Sequence, residues 1–250
     1  MGSASSSDLD GAHAWRDGKH LAICDVLESW AHGTVARASA YPHYYDFNAV
    51  RVEDDPALTV DALVSFANQA LAGLAHRRVD FDLLAAAEPL RGEFEARGWK
   101  ATRLLWMRHK APSEVERDAR VESVAYDLAQ PLRVLWHSDF GGEGAAEYHV
   151  QARAVAMRLG AEVLVVRDGS EPVAYSQIEC RGDGAEITDV YVHPEYRGRG
   201  LGTAITRGAI EHASDARALW ICADDEERAK EIYARLGFAP VWTTMSFLLH

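Results

Sequence analysis

The chain contains the same order of apolar patterns twice. In the C-terminal half, alternating apolar residues predict strands, and apolar residues at helical spacing predict helices between them. The predicted order is a strand at 186–192, a helix at 203–213, a strand at 218–223, a helix at 227–236 and a strand at 241–249. The N-terminal half has a strand pattern at 48–52, a helix pattern at 60–71, a short strand at 79–81, a helix pattern at 90–96 and a strand pattern at 102–108.

The spacing of the two halves also agrees. Val52 and Gly98 are 46 positions apart, Val192 and Gly237 are 45 apart, and an aromatic residue follows each glycine. We interpret this as two tandem copies of one α/β fold, joined near residues 111–113, where Ala-Pro-Ser interrupts the pattern. Coincidence between two generic αβαβ patterns remains the alternative.

Residues 196–203 read Tyr-Arg-Gly-Arg-Gly-Leu-Gly-Thr, directly after a predicted strand and directly before a predicted helix. Glycines let a backbone approach a ligand closely, and the first N–H groups of a helix have no partner within the helix. Arg197 and Arg199 add positive charge. The run lacks the Gly-Lys-Ser/Thr of a Walker A loop, and it departs from the Rossmann pattern at Thr203. It predicts a pyrophosphate site.

A second segment, residues 228–238, predicts a helix that ends at Gly237, with Ala229, Ile232, Tyr233 and Leu236 on one face. The run Arg-x-x-Gly-x-Gly (Arg197, Gly200, Gly202) and the run Ala-x-x-x-Tyr-x-x-x-Gly-Phe (229–238) together resemble the GNAT N-acetyltransferase superfamily. Taken alone, Tyr233 would be a packing residue on an amphipathic helix.

The resemblance implies an α/β fold with a mixed β-sheet flanked by helices. It also implies acetyl-CoA as the acyl donor and direct transfer without a covalent acyl-enzyme. In this family the tyrosine lies near the sulfur of the coenzyme and protonates the leaving thiolate, a role that falls on Tyr233. The strand before the loop and the loop itself would hold the coenzyme, through Val190, Tyr191, Val192, Arg197, Gly198, Arg199, Gly200, Leu201, Gly202 and Thr203.

A general base must lie within hydrogen-bond or one-water reach of the acceptor amine. Two carboxylates on the predicted strand qualify, and Glu186 is favoured over Asp189. Their odd offset predicts that they point to opposite faces of the sheet. Ordered water as the only base stays open. Where the family commonly has an asparagine, seven residues before the tyrosine, this chain has Glu226, which would put negative charge near the coenzyme.

The two copies differ where chemistry is expected. The first copy has Glu-Asp-Asp-Pro at 53–56 instead of the glycine loop, and Phe94 at the position that corresponds to Tyr233. Its carboxylates would repel a pyrophosphate, and a phenylalanine has no proton to donate. We therefore predict a degenerate GNAT-like domain at 19–112 and a catalytic, acetyl-CoA-binding GNAT domain at 113–250. Residues 1–18 are predicted to be a disordered lead-in.

Composition narrows the partners. The formal net charge of −12 over 250 residues argues against nucleic-acid binding and is compatible with a cationic acceptor. The sequence contains no run of 18 apolar residues, so no membrane span is predicted. The Ser-rich N-terminus does not resemble a secretory signal. Cys24, Cys180 and Cys222 fit neither a disulfide framework nor a metal site, so we expect a cytoplasmic protein without a metal. The oligomeric state stays open between monomer and homodimer.

The expected function is N-acetylation of a small-molecule amine. Two alternatives stay open: a non-catalytic protein that senses acyl-CoA, and an N-acetyltransferase that acts on peptides or proteins.

Overall fold

The computed structural model describes residues 6–110, 118–139 and 145–250. The predicted junction at residues 111–113 lies outside the described residues. The helices are α1 (Ser6–Ile23), α2 (Val60–Ala70), α3 (Leu84–Ala87), α4 (Arg91–Ala96), α5 (Gln130–Asp139), α6 (Ala145–Arg158), α7 (Leu201–His212) and α8 (Ala229–Arg235). The strands are β1 (Val26–Trp30), β2 (Gly33–Arg37), β3 (Ala49–Val52), β4 (Arg77–Phe81), β5 (Lys100–His109), β6 (Val121–Val124), β7 (Ala161–Asp168), β8 (Glu171–Arg181), β9 (Gly184–Val192), β10 (Ala218–Asp224) and β11 (Phe238–Leu249).

The chain divides into two compact units, and neither is a single continuous segment. The first unit consists of Met1–Trp106, Ala223–Glu227 and Val241–His250, and the second of Met107–Cys222 and Arg228–Pro240. The first boundary falls six residues before the predicted one. The C-terminal segment differs more, because it belongs to the first unit, whereas the sequence pattern assigns it to the second copy.

In the first unit the strands follow the order β1-β2-β3-β4-β11-β5. Strand β3 runs parallel to β4, and β11 pairs antiparallel with β4. The buried rings of Phe94 and Phe247 stack with their centroids 4.1 Å apart. Residues 241–249 form the predicted strand, but they pair in the first unit, whereas the predicted domain at 113–250 includes them. Apolar alternation specifies a strand but not the strand with which it pairs.

The N-terminal segment is helical. Helix α1 covers Ser6–Ile23 and buries Trp15. Arg16 forms an ion pair with Asp82 (Nη2 to Oδ2, 2.9 Å), and its guanidinium lies 4.6 Å from the centroid of the Trp242 ring. The predicted disordered lead-in at 1–18 is wrong from Ser6 onward, and residues 1–5 lie outside the described ranges. The helix was missed because it depends on a few specific contacts, which a mostly polar composition does not reveal.

In the second unit the strands follow the order β10-β9-β8-β7-β6. Strand β9 is parallel to β10 and antiparallel to β8, which makes this sheet mixed. Helix α5 and the turn that precedes it pack Tyr126, Ala129 and Leu132 against the buried residues Val163, Val165 and Tyr175 of the sheet. Strands β6 to β8 and helices α5 and α6 were not predicted. Across the described ranges, no helix is long and apolar enough to cross a membrane.

The composition of the first unit makes a prediction about truncation. Removing residues 1–110 would take away β4 and Phe94, the packing partners of β11, and would expose Met245 and Phe247, which are fully buried. Exposed apolar surface of this kind promotes aggregation. We expect the truncated chain to be insoluble or to lack a cooperative thermal transition by circular dichroism. A soluble, cooperatively folding fragment would contradict this prediction.

Candidate active site

Strands β9 and β10 separate partway along β9. Their parallel pairing runs from Gly184 opposite Ala218 to Ile187 opposite Ile221. Strand β9 continues to Val192 and stays paired with β8 on its other side, up to Ala174. After Ile187 the edge of β9 that faces β10 is no longer paired with it. An extended ligand could form hydrogen bonds with such an edge.

A β-bulge begins two residues after the last pair with β10. Tyr175 pairs with Tyr191 and Gln177 pairs with Thr188, so Ser176 of β8 faces two residues, Asp189 and Val190. Asp189 adopts the left-handed backbone conformation, with φ of +53°. A left-handed first residue is typical of one bulge class, in which glycine usually occupies that position. The bulge ends the regular side-chain alternation of β9.

The glycine-rich loop lies between the end of β9 and the start of α7. Gly198 and Gly200 both have φ of +77°, and a Cβ at either position would have no described atom within 4 Å. Glycine is thus required there by the backbone conformation, and the space beside the loop is open. Helix α7 begins at Leu201, so the first N–H groups of α7 lie outside its hydrogen-bond ladder.

The two arginines of the loop already have partners. Arg197 donates from Nε to the Val192 carbonyl (3.1 Å) and from Nη2 to Asp139 Oδ2 (2.9 Å). The Tyr191 hydroxyl donates to the same carboxylate oxygen at 2.6 Å. The hydrogen bond from Tyr191 has the largest effect on the pKa of Asp139, and together with that from Arg197 it lowers this pKa below its usual range. Asp139 is therefore ionised at neutral pH. Arg199 donates to the Glu195 carbonyl at 3.1 Å.

Tyr233 lies on α8, beside the loop. A Cβ on Gly202 would lie 3.6 Å from Cδ1 of Ile232 and 3.9 Å from Cγ2 of Val192, so α8, the start of α7 and the end of β9 meet at this point. Tyr233 is buried, with 6% of its surface exposed. Burial raises the pKa of its hydroxyl above the usual value, and Cys222 adds to the shift. The phenol therefore stays protonated at neutral pH.

Glu186 lies in the paired part of β9, where it is opposite Glu179 of β8 and Trp220 of β10. Both glutamates are buried. Residues opposite each other on neighbouring strands project to the same face of a sheet, so the two carboxylates share one face.

Asp189 is held by two side chains. Arg133 of α5 donates from Nη1 to Asp189 Oδ2 at 3.1 Å, and Gln177 of β8 donates from Nε2 to the same oxygen. Gln177 and Glu179 are two residues apart on β8 and so share a face, which puts the Asp189 carboxylate on the face of Glu186. The predicted opposite orientation of Glu186 and Asp189 is wrong because the bulge breaks the alternation between them.

Glu226, the departure from the family pattern, lies in the first unit. Arg91 donates to both of its carboxylate oxygens, at 2.7 and 2.9 Å. These hydrogen bonds lower the pKa of Glu226. Its charge is therefore compensated by a cation.

Sequence reasoning missed Arg133, Asp139 and Gln177. All three contact residues that it had selected, but they lie in stretches that carry no motif. Only the fold brings them to β9 and the loop.

Part of this chain is similar in sequence to known proteins. Residues 160–240 match the sequence model of the acetyltransferase (GNAT) domain. The matched segment contains β9, the loop, α7 and Tyr233. This segment is therefore similar to the GNAT domain. An uncharacterized N-acetyltransferase of Methanocaldococcus jannaschii is 35% identical over 79 residues, which is 27% of this chain and 34% of the relative. This chain thus spans about a third of the length of that curated relative.

Two solved structures resemble nearly the whole chain. A conserved protein of unknown function from Staphylococcus epidermidis has a TM-score of 0.66 and 15% identity, with coverage of 90% of this chain and 93% of the other. A GCN5-related N-acetyltransferase from Kribbella flavida has a TM-score of 0.54 and 19% identity, with coverage of 96% and 94%. At these identities the likeness concerns the fold alone. The predicted fold class, α/β and GNAT-like with a mixed sheet flanked by helices, is confirmed at this level.

Enzymes of the GNAT family use acetyl-CoA as a co-substrate, and the matched segment of this chain has features that fit the coenzyme. The open side of Gly198 and Gly200 and the N-terminus of α7 suit a pyrophosphate. The edge of β9 after Ile187 suits an extended arm. In the described ranges, no group of three or more metal-ligating side chains occurs.

The contact between Asp139 and Arg197 generates a prediction. The negative charge of Asp139 lies beside Arg197, whose positive charge a pyrophosphate would need. We expect Asp139→Asn to bind CoA about three- to tenfold more tightly, measured by titration calorimetry. Asp168→Asn is the matched control, because Asp168 accepts a hydrogen bond from Tyr196 of the same loop region (2.9 Å). Among the described residues, Arg197 donates to Val192 and Asp139 and Arg199 donates to Glu195, and neither donates to Asp168. Equal affinity of the two variants would contradict the prediction.

Proposed function

We propose that this protein is an acetyl-CoA-dependent N-acetyltransferase that transfers an acetyl group directly to the amine of a small-molecule acceptor. One observation carries the proposal: the glycine loop, the free edge of β9 and the helix that bears Tyr233 meet at Val192, Gly202 and Ile232. The matches to the GNAT domain support it in general terms.

Residues of β9 and the loop would hold the coenzyme, which supplies an acyl group activated as a thioester. The N–H groups of residues 198–203 and the charges of Arg197 and Arg199 would bind the pyrophosphate. The backbone of Val190, Tyr191 and Val192 would pair with the pantetheine arm. One N–H group of this segment would donate to the thioester oxygen, where negative charge develops during transfer.

Tyr233 would act on the leaving group. Its hydroxyl is neutral at physiological pH because burial raises its pKa. A neutral phenol can donate its proton to the departing thiolate as the carbon–sulfur bond breaks. The acceptor amine forms the new carbon–nitrogen bond, and its proton leaves to a base.

Glu186 remains the candidate for that base. The Asp189 carboxylate accepts hydrogen bonds from Arg133 and Gln177, which makes it a support for its own strand. Glu186 shares its sheet face with Glu179, so two buried carboxylates give this face a negative charge. Such a face favours a cationic amine. Ordered water as the only base stays open.

The acceptor class is tested by release of the coenzyme thiol from acetyl-CoA in the presence of different amines. The panel should contain polyamines, amino sugars, amino acids and short peptides with free N-termini, and a reaction without acceptor. Release that depends on small amines supports the proposal. Release with peptides alone would favour a peptide or protein N-acetyltransferase. CoA binding without turnover on any amine would favour an acyl-CoA sensor.

We further propose that the N-terminal half is a degenerate second GNAT-like copy. Two facts support it: β3, α2 and β4 follow the order of β9, α7 and β10, and both strand pairs are parallel. Phe94 is a fully buried core residue, and residues 53–56 carry three carboxylates where the other half has glycines. One coenzyme per chain is then expected. The three cysteines are free thiols, which suits a cytoplasmic location.

Gly200 provides the first test of this proposal. Gly200→Glu would add a carboxylate at the pyrophosphate and would strain a left-handed position, so we expect CoA affinity to fall at least tenfold, which is about 1.4 kcal/mol. Gly182→Glu is the matched control, because Gly182 also has a positive φ and open surroundings but lies in the turn between β8 and β9. If a folded Gly200→Glu variant binds CoA as tightly as the control by calorimetry, the pyrophosphate assignment is wrong.

Tyr233 provides the second test. Tyr233→Phe keeps the ring and removes the hydroxyl, so we expect kcat to fall about 100-fold, in the range for loss of a general acid, while CoA affinity stays within threefold. Tyr196→Phe removes the hydroxyl of a different tyrosine close to the loop and should leave kcat within threefold. Turnover of Tyr233→Phe at the wild-type rate would make Tyr233 a packing residue.

A further inference from the structure

We infer that Asp189 is a positioning residue, which holds the bulge of β9 in the left-handed conformation so that Val190–Val192 face the coenzyme. The inference rests on the proposed function, because it assigns this segment to coenzyme binding. It changes the role of Asp189 from a candidate base to a support for the backbone.

The backbone conformation of Asp189 is the first argument. It is one of two non-glycine residues with positive φ in the described ranges, the other being Ala57. The left-handed conformation is unfavourable for L-residues, least so for aspartate and asparagine, and persists where surrounding contacts enforce it. The bulge begins two residues after the last pair with β10, at the point where β9 becomes free on that edge.

The contacts of the side chain are the second argument. Arg133 and Gln177 both donate to Asp189 Oδ2, one from a helix and one from the neighbouring strand. Arg133 is itself fixed, because it is 2% exposed and its guanidinium lies 4.6 Å from the centroid of the Tyr126 ring. The carboxylate is therefore held from two elements, and the backbone to which it is attached cannot relax to an extended conformation without breaking both contacts.

The chemistry of the pair is the third argument. The buried guanidinium of Arg133 directs the carboxylate of Asp189 toward α5, so Oδ2 is already occupied by a hydrogen-bond donor of the protein. Replacing Asp189 alone would have two effects at once. It would change the backbone preference at position 189, and it would leave the buried charge of Arg133 without its partner, which destabilises the fold. A test must therefore separate the backbone conformation from the ion pair.

The experiment compares glycine with alanine at position 189 in the presence of Arg133→Met, which removes the buried charge from both variants. Glycine adopts the left-handed conformation freely and alanine does not. We expect Arg133→Met/Asp189→Ala to bind CoA at least tenfold more weakly than Arg133→Met/Asp189→Gly by titration calorimetry. The matched controls are Thr188→Gly and Thr188→Ala, at a neighbouring position without positive φ, where glycine should give no advantage.

Asp189→Asn gives an independent measurement. Asparagine tolerates the left-handed conformation and can still accept hydrogen bonds, so we expect its CoA affinity to stay within threefold of wild type even if its Tm falls. Its kcat/KM against pH should keep the acidic limb, whereas Glu186→Gln should flatten that limb if Glu186 is the base.

Two results would overturn the inference while the proposed function stands. The first is equal CoA affinity of the glycine and alanine variants at position 189. The second is a 100-fold loss of kcat in Asp189→Asn at unchanged CoA affinity, which would make Asp189 the base. Wild-type protein that does not bind CoA at all would instead remove the proposed function, and this inference with it.

Discussion

The candidate site depends on the point at which β9 stops pairing with β10. Up to Ile187 the two strands form an ordinary parallel ladder, and beyond it the bulge at Asp189 changes the direction of β9. An interior strand normally has both edges occupied by its neighbours. Here one edge is available next to the glycine loop, and this gives an extended ligand a place within the sheet. In the proposed function, the coenzyme arm pairs with this edge, and the thioester oxygen accepts a hydrogen bond from it. The proton donor Tyr233 lies on the helix next to it.

Charge compensation is the second feature of the site. The Asp189 carboxylate is paired with Arg133, and Asp139 is paired with Arg197. Both contacts connect α5 to β9 or to the loop that follows it. In a region that would bind a highly charged ligand, each pair fixes a backbone segment, and the Asp139 pair also competes with the ligand for an arginine. Helix α5 thus contacts β9 at Asp189 and the loop at Arg197, although it contains no recognisable motif.

The first unit has a different physical basis. Its core joins Phe94 and Phe247, which are 153 positions apart in sequence and stack at 4.1 Å. Strand β11 therefore lies inside the sheet of the first unit, between β4 and β5. This arrangement makes folding of the first unit depend on the C-terminal segment, and it accounts for why the two halves of the sequence do not correspond to two separate domains.

The sequence by itself determined the local elements and the chemistry of the loop. Strands β3, β9, β10 and β11 and helices α2, α7 and α8 follow from apolar periodicity, and the glycines with positive φ follow from a loop that only glycine can form easily. These features depend on residues close together in the chain. Only the tertiary structure decided that β11 pairs with β4, that Ser6–Ile23 is helical and that Asp189 is paired with Arg133. Each of these depends on a partner far away in sequence. A side-chain pattern indicates which face of a strand is buried but not which strand lies beside it. An extra residue in a bulge reverses the predicted orientation of the side chains that follow it in the strand.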